Sequence, residues 1–374
     1  MRILMVETGG GGGIGHYAHF LCSAIQDMGY SVRLLTHAHK YALDSLSKTY
    51  KVSNIFRGDG FISDWRRFYT AWKEQPVDIV HFQSLFSSRR DWLMFWMVRR
   101  FYPKIRFILT VHNVLPHELL PGELITYRLS YGCAAGLILH AHASLDRLLR
   151  LMGPRFKTPT EVIPYGHYGE LVRNDDMTRA AALELLSLED KRYIVFFGAI
   201  RPYKGIDMLL DAVAAQTEWP ANLRVLIAGH LMGGIAKEEL LQLRDGLGIL
   251  DRVIFDFRHF SEDHIPAIFK VADLVALPYR MIDQSGVLMG AIAAGIPVLC
   301  TPVGAFPEIV HSGIGFMASK SSAEALAQTL RQALVRRASW VDMGAQAKSE
   351  AELRYSWDSI ADMTAKFYQR VLVH

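Results

Sequence analysis

The sequence predicts an α/β protein of two doubly wound, Rossmann-like halves facing a cleft, and three observations predict it. Apolar runs of strand length alternate with helix-length segments through most of the 374 residues. The alternation stops once, at Tyr165-Gly166-His167-Tyr168-Gly169, and then restarts. Three of the strand-like runs end in glycines or cations that lead straight into a helix. Strands buried on both faces of a parallel sheet read as continuous apolar runs, and a chain of this length exceeds what one core usually organises. The expected divisions are a first domain over 1–168, a second over 169–354, and a C-terminal helix over 355–374 that returns to the first.

In the first half the expected strands are residues 2–7, 31–36, 78–82, 105–111 and 136–140. The first runs into Gly9 to Gly13 and then Gly15, with GxGxxG spacing at Gly10, Gly12 and Gly15 before a helix. Such spacing alone points to a dinucleotide. A NAD site also wants a carboxylate at the end of the second strand, where this chain reads Thr36-His37-Ala38-His39-Lys40. NADP held by His39 or Lys40 stays open. The stronger reading is a flexible loop of close backbone approach, with Gly13 and Gly15 at the mouth of the cleft. His112 closes the fourth strand in Val111-His112-Asn113-Val114, just before Pro116-His117-Glu118. There it either faces the ligand crevice or only caps a loop.

In the second half the expected strands are residues 193–198, 223–229, 252–257, 273–278 and 296–300. Gly198-Ala199-Ile200-Arg201-Pro202-Tyr203-Lys204-Gly205 leads into a helix at Ile206, so Arg201, Lys204 and a helix N-terminus converge on one anion. The stretch 273–308 is a second strand, loop, helix, strand unit, with Ser285, Gly286 and Val287 at its helix start. Two phosphate-friendly helix starts in one domain point to a diphosphate.

Composition narrows the remaining classes. Cys22, Cys133 and Cys300 sit in apolar stretches without CxxC pairing, so neither disulfides nor zinc are expected. The N-terminal apolar run is too short for a signal peptide, no stretch has the length of a membrane span, and a cytoplasmic protein is expected. The net charge of +4 is local: residues 51–106 hold 11 Lys and Arg against 5 Asp and Glu. That favours a surface for an acidic partner.

The motifs FGAIRPYKGIDMLLDA, LRVLIAGH, SEDHIPAIFKVADLVALPYR and QSGVLMGAIAAGIPVLCTPVGAFPEIV occur in the order seen in retaining glycosyltransferases of family four. With the opening glycines, TVHN and the final YSWDSIADMTAKFYQRV, the chain resembles that family along nearly its whole length. The resemblance implies a GT-B fold and a UDP- or GDP-type sugar donor held by the second domain. It also implies a hexosyltransferase acting on a saccharide or lipid-linked saccharide in cell-surface polysaccharide or glycolipid synthesis, with no nucleic-acid partner. By the same resemblance Arg201 and Lys204 meet the diphosphate, His112 the donor sugar, and Arg258, His259 and Phe260 the base. Gly198 belongs to the diphosphate turn, although Ala199 stands where the family more often has arginine. Most members carry Glu-Gly-Phe-Gly with a second Glu further on, positions that fall here on Ile282 and Gly290. With a one-residue deletion, Asp283-Gln284-Ser285-Gly286 replaces the motif, and Asp283 or Gln284 meets the sugar. A carboxylate for the ribose is then missing. The QSGV loop itself resembles a recognised subgroup.

Fixed cations and N–H dipoles that tighten on a leaving diphosphate lower the barrier to sugar transfer. The matched motifs hold no close carboxylate pair of the kind a retaining hydrolase uses. No Asp-x-Asp motif occurs, so neither metal nor cofactor is expected. A GT-B nucleotide-sugar epimerase, a noncatalytic nucleotide-sugar-binding module and a dehydrogenase remain as alternatives. Finally, Phe61, Trp65, Phe68 and Trp72 share a helical face beside Arg66, Arg67 and Lys73, and residues 92–98 are apolar between Arg89-Arg90 and Arg99-Arg100. These read either as a peripheral anchor for an anionic membrane or as a helix buried in the core.

Overall fold

The computed structural model describes residues 1–38, 49–85, 91–116 and 121–373. His39, Lys40, Arg89, Arg90, His117 and Glu118 lie outside the described residues. The chain divides into two compact units, one formed by 1–166 with 356–374 and the other by 167–355.

The first unit holds β1 (Arg2–Val6), β2 (Ser31–His37), β3 (Lys51–Phe56), β4 (Ile79–Phe82), β5 (Arg106–Thr110), β6 (Gly136–Leu139) and β7 (Thr160–Val162). They form one parallel sheet in the order β3-β2-β1-β4-β5-β6-β7. The second holds β8 (Arg192–Phe197), β9 (Leu223–Ala228), β10 (Val253–Asp256), β11 (Ala272–Leu277), β12 (Val298–Cys300) and β13 (Gly315–Met317). Their order is β10-β9-β8-β11-β12-β13, again all parallel. The ten expected strands are present, and β3, β7 and β13 are additions. All three are edge strands, and none has the continuous apolar run of a strand covered on both faces. In parallel sheets ligands gather beyond the carboxyl ends of the strands, so the loops after β1, β5, β8, β10 and β11 are the places to look.

The C-terminal helix Trp357–Val373 packs within the first unit. A Cβ on Gly136 would lie 2.8 Å from Phe367 and 3.0 Å from Val371, and one on Gly166 would lie 2.5 Å from Trp357. Tyr368 reaches His81 Nδ1 at 2.5 Å, and Arg370 pairs with Glu161.

The helix Phe61–Lys73 corrects the anchor reading of its aromatic face. Phe68 and Trp72 are buried in a cluster with Phe82, Phe95 and Phe107, and Trp65 stacks on Phe68 at 4.8 Å. Arg67 is held by Asp59 and Asp64, and Lys73 lies 4.1 Å from the Tyr102 ring centroid. Withdrawing two such aromatics from water is worth ~1.5–3 kcal/mol each, which decides that this face turns inward. Arg66 stays exposed, as do Ile62 and Tyr69.

Candidate functional site

In the first unit the glycine run is tied down. The helix begins at Gly12, and the N–H groups of Gly9 and Gly10 donate to the Glu7 carboxylate at 2.7 and 2.6 Å. Thr36 Oγ1 donates to the same carboxylate at 3.2 Å. The Glu7 carboxylate thus takes up N–H groups just ahead of the helix start. Burial pushes the Glu7 carboxyl up, against these hydrogen bonds. The expected flexible loop is therefore a braced turn, with Gly10 and Gly12 at φ of 68° and 67°. Gly13 O accepts from the Tyr165 hydroxyl at 3.3 Å, and a Cβ on Gly15 would make only ordinary contact.

His112, just past β5, is 8% exposed and part of a buried relay. His140 Nδ1–H donates to Ile163 O at 2.9 Å, and His140 Nε2 lies 3.3 Å from His112 Nδ1. His112 Nε2 lies 2.9 Å from the Gln83 carboxamide, and His81 Nε2 lies 2.7 Å from Thr110 Oγ1. Burial pulls all three rings down, His81 to about 3, His140 to about 4 and His112 well below its ordinary value. The rings are thus neutral. His112 Nε2–H donates to Gln83 Oε1, whose NH2 group donates to Met5 Sδ at 3.0 Å, so a neutral His112 carries its proton on Nε2. Gln83, His81 and His140 had no motif to mark them; their shared place at strand ends is a property of the sheet register.

In the second unit three predicted residues meet. Gly198 follows β8 with φ of 108°, and a Cβ there would lie 3.1 Å from Lys204 Nζ and 3.8 Å from Val287 Cγ2. The turn after β8 and the helix Gly286–Ala293 after β11 thus face the same ammonium. Lys204 is 9% exposed, packed 5.3 Å from the Tyr279 ring centroid and 5.8 Å from that of Phe196. Burial, and then the charge of Arg201, lower its ammonium to about 8. The Arg201 guanidinium reaches Met232 Sδ at 3.5 Å. Two cations are held close together with no carboxylate between them, an arrangement that an oxyanion would relieve.

The loop carrying them is fastened by the last residue of the SEDHIPAIFKVADLVALPYR motif, to which the sequence assigns no role. Arg280 pairs with Asp207 and donates to Pro202 O at 3.0 Å, while its backbone N–H donates to Tyr203 O at 2.7 Å. The N-cap Ser285 accepts from Leu288 N at 3.3 Å, which leaves the first-turn N–H groups of Gly286 and Val287 without intrahelical partners. Gly304 brings a neighbouring turn close enough that a Cβ would lie 2.0 Å from Ile282 O and 2.9 Å from Asp283 O. Asp283 is buried at 4% exposure beneath that turn, whereas Gln284 is half-buried. After β10, Arg258 pairs with Asp256 at 2.8 Å and lies 5.0 Å from the Phe260 ring centroid. Phe260 packs on Phe197 at 5.9 Å, and His259 on His230 at 5.1 Å. Among the described residues no group of three His, Cys, Asp or Glu could hold a metal ion.

Residues 11–167 match the family described as Glycosyltransferase Family 4, and residues 181–350 match Glycosyl transferases group 1. Between them the two glycosyltransferase family models match most of the chain. The D-inositol 3-phosphate glycosyltransferase of Rhodococcus opacus is 30% identical over 244 residues, 64% of this chain and 54% of that protein. The GDP-mannose-dependent alpha-(1-6)-phosphatidylinositol monomannoside mannosyltransferase of Mycobacterium tuberculosis is 29% identical over 215 residues, 55% of each chain. The chain spans about half the length of the curated relatives it matches. The structure of Anabaena HepE in complex with UDP and glucose is similar with a TM-score of 0.79 and 19% identity, covering 99% of this chain and 100% of that one. The two parallel-sheet units are those of the GT-B fold.

Proposed function

We propose that the protein moves a hexosyl group from a UDP- or GDP-type sugar to a saccharide or lipid-linked saccharide acceptor, with retention of anomeric configuration. The observation that carries this reading is the meeting of Gly198, Lys204 and Val287 around one partly desolvated ammonium. In the proposed step the bond from the anomeric carbon to the diphosphate oxygen breaks, and its electron pair leaves with the diphosphate. The acceptor hydroxyl attacks on the same face, and its proton passes to the departing phosphate oxygen. Arg201, Lys204 and the N–H groups of Gly286 and Val287 gain most as that oxygen becomes anionic, so they stabilise the transition state beyond the ground state. His112 contributes a neutral imidazole to the donor sugar, Gln284 contacts its hydroxyls, and Arg258, His259 and Phe260 flank the base. Neither a cofactor nor a metal is part of the proposal. Acceptors related to inositol phosphates or phosphatidylinositol mannosides are favoured by the names of the relatives, and the proposed role is in cell-surface polysaccharide or glycolipid synthesis.

The test is incubation with UDP-, GDP- and dTDP-sugars, with and without EDTA. Release of one class of nucleoside diphosphate, insensitive to the chelator, is expected. Diphosphate binding without turnover would instead make the protein a binding module, and an epimerised sugar without nucleotide release would make it an epimerase.

We also propose that the protein works at the cytoplasmic face of an anionic membrane, through a surface different from the buried aromatic face. Trp65, Arg66, Tyr69, Met97, Phe101 and Tyr102 line a shallow apolar hollow of about 360 Å³ between two helices of the first unit. Trp96 and Phe101 are 50% and 64% exposed, and Arg99 and Arg100 are exposed beside them. Among the described residues no helix is long and apolar enough to cross a membrane. Cations near an anionic leaflet contribute ~1 kcal/mol each. Co-sedimentation with phosphatidylserine vesicles should be lost in Arg66→Glu/Arg100→Glu and weaken with salt. Equal binding to neutral vesicles, or none, would turn the surface over to a soluble acidic saccharide or a protein.

A further inference from the structure

A cavity of about 620 Å³ lies at the opposite end of the first sheet from His112. Its floor is made where β5, β6 and β7 begin, at Ile105, Phe107, Ala135 and Pro159. His112 and His140 follow the far ends of β5 and β6. With strands rising ~3.3 Å per residue, the two ends are separated by roughly 15 Å of sheet, so the cavity is a place of its own.

Its walls combine two chemistries. Arg99, Arg106, Arg155 and Lys157 line it, and its lining includes no acidic residue. Among the described residues none of the four forms an ion pair with a carboxylate. Backbone carbonyls take up part of this charge. Arg106 donates to Pro103 O at 2.6 Å and to Val371 O at 3.2 Å, and Arg99 makes a long contact with Gly132 O at 3.5 Å. Arg155 and Lys157 are exposed on one short turn after the helix His142–Met152. Between the cations the surface is apolar, from Phe95, Phe107, Met152 and Phe156.

Four cations around one hollow call for more than a single negative charge, and guanidinium forks fit tetrahedral oxyanions with two or more oxygens. A cavity of several hundred Å³ with an aromatic floor has room for an apolar body behind such a head. We propose that this cavity is a second binding site, for a phosphate monoester attached to an apolar body. It is independent of the donor loop, and the ligand can be the head of a lipid or a soluble phosphate ester.

The experiment is calorimetric titration of the full chain with hexyl phosphate, dihexanoyl phosphatidic acid, inorganic phosphate and hexanol. Hexyl phosphate should bind at least tenfold more tightly than inorganic phosphate, and hexanol should not bind. Binding should fall at least tenfold in Arg155→Glu/Lys157→Glu, and in the milder Arg155→Gln/Lys157→Gln should the first variant not fold. It should persist in Lys204→Ala. Tighter binding of dihexanoyl phosphatidic acid than of hexyl phosphate assigns the site to a lipid head, and the reverse order to a soluble ester. Binding unchanged in both double variants, or lost in Lys204→Ala and kept in them, overturns the site. Equal affinity for hexanol and hexyl phosphate overturns it as well.

Discussion

Replacing Lys204 with alanine is expected to lower the affinity for a nucleoside diphosphate by about 10- to 100-fold, the worth of a charged hydrogen bond of ~1.5–3 kcal/mol. Affinity for the nucleoside should stay the same. Arginine should not rescue it, because Gly198 and the rings of Tyr279 and Phe196 leave no space for a guanidinium where Nζ sits. A pH dependence follows from the lowered pKa. The folded ammonium loses its proton at about 8 against an ordinary 10.5. Between those values the unfolded chain binds a proton that the folded one does not, so this group makes stability rise with pH across that window. A bound diphosphate favours the ammonium, so binding should take up a proton above pH ~8 and weaken as pH rises further. Calorimetry in buffers of different ionisation enthalpy reads the proton directly. Equal loss for nucleoside and diphosphate, or an affinity flat between pH ~7 and ~9.5, would sink the assignment.

Gly205→Ala should strongly destabilise the second unit. Gly205 sits at φ of 64°, and a Cβ there would lie 2.1 Å from Pro278 O and 2.5 Å from Met208 Cε. The left-handed conformation alone costs ~1–2 kcal/mol for alanine. The collision is with a backbone carbonyl at the end of β11, so relief requires the Arg201 to Lys204 loop to move away from it. A total of about 3 kcal/mol or more, and a midpoint lowered by about 6 °C or more, is expected. Gly248→Ala separates the two causes, since Gly248 has φ of 66° with nothing within 4 Å. Its loss should be limited to the conformational part, with diphosphate affinity intact. Thermal unfolding and diphosphate titration of both variants decide the matter: equal losses would mean that the close approach to Pro278 contributes nothing.

The two helix-start loops of the second unit are legible in the sequence because their chemistry is local. A strand's apolar run, a glycine that tolerates positive φ, and cations at a helix start lie within about ten residues of one another, and sequence shows all of them. Gly198, Arg201 and Lys204 need nothing else. Asp283 shows where that logic stops. Its spacing fits a sugar contact, yet the turn at Gly304 covers it, and burial by a segment further along the chain has no local signature. Arg280 lies in a matched motif, yet its role is hidden for the same reason, because its partners Asp207 and Pro202 are far from it in sequence.

The sequence by itself determined the two-part α/β architecture, since covered parallel strands must be apolar throughout, and it determined the cationic helix start of the second half. Only the tertiary structure decided which face of an amphipathic segment meets water. The Trp65, Phe68 and Trp72 stripe suited a membrane as well as a core, and the aromatic cluster beneath it settled the choice. Tertiary structure also decided the state of His112, because the ring becomes neutral through burial and then through His140 and His81, which the sheet register sets beside it. Periodicity records that a residue will be covered; what covers it depends on contacts between distant parts of the chain, and those exist only in the fold.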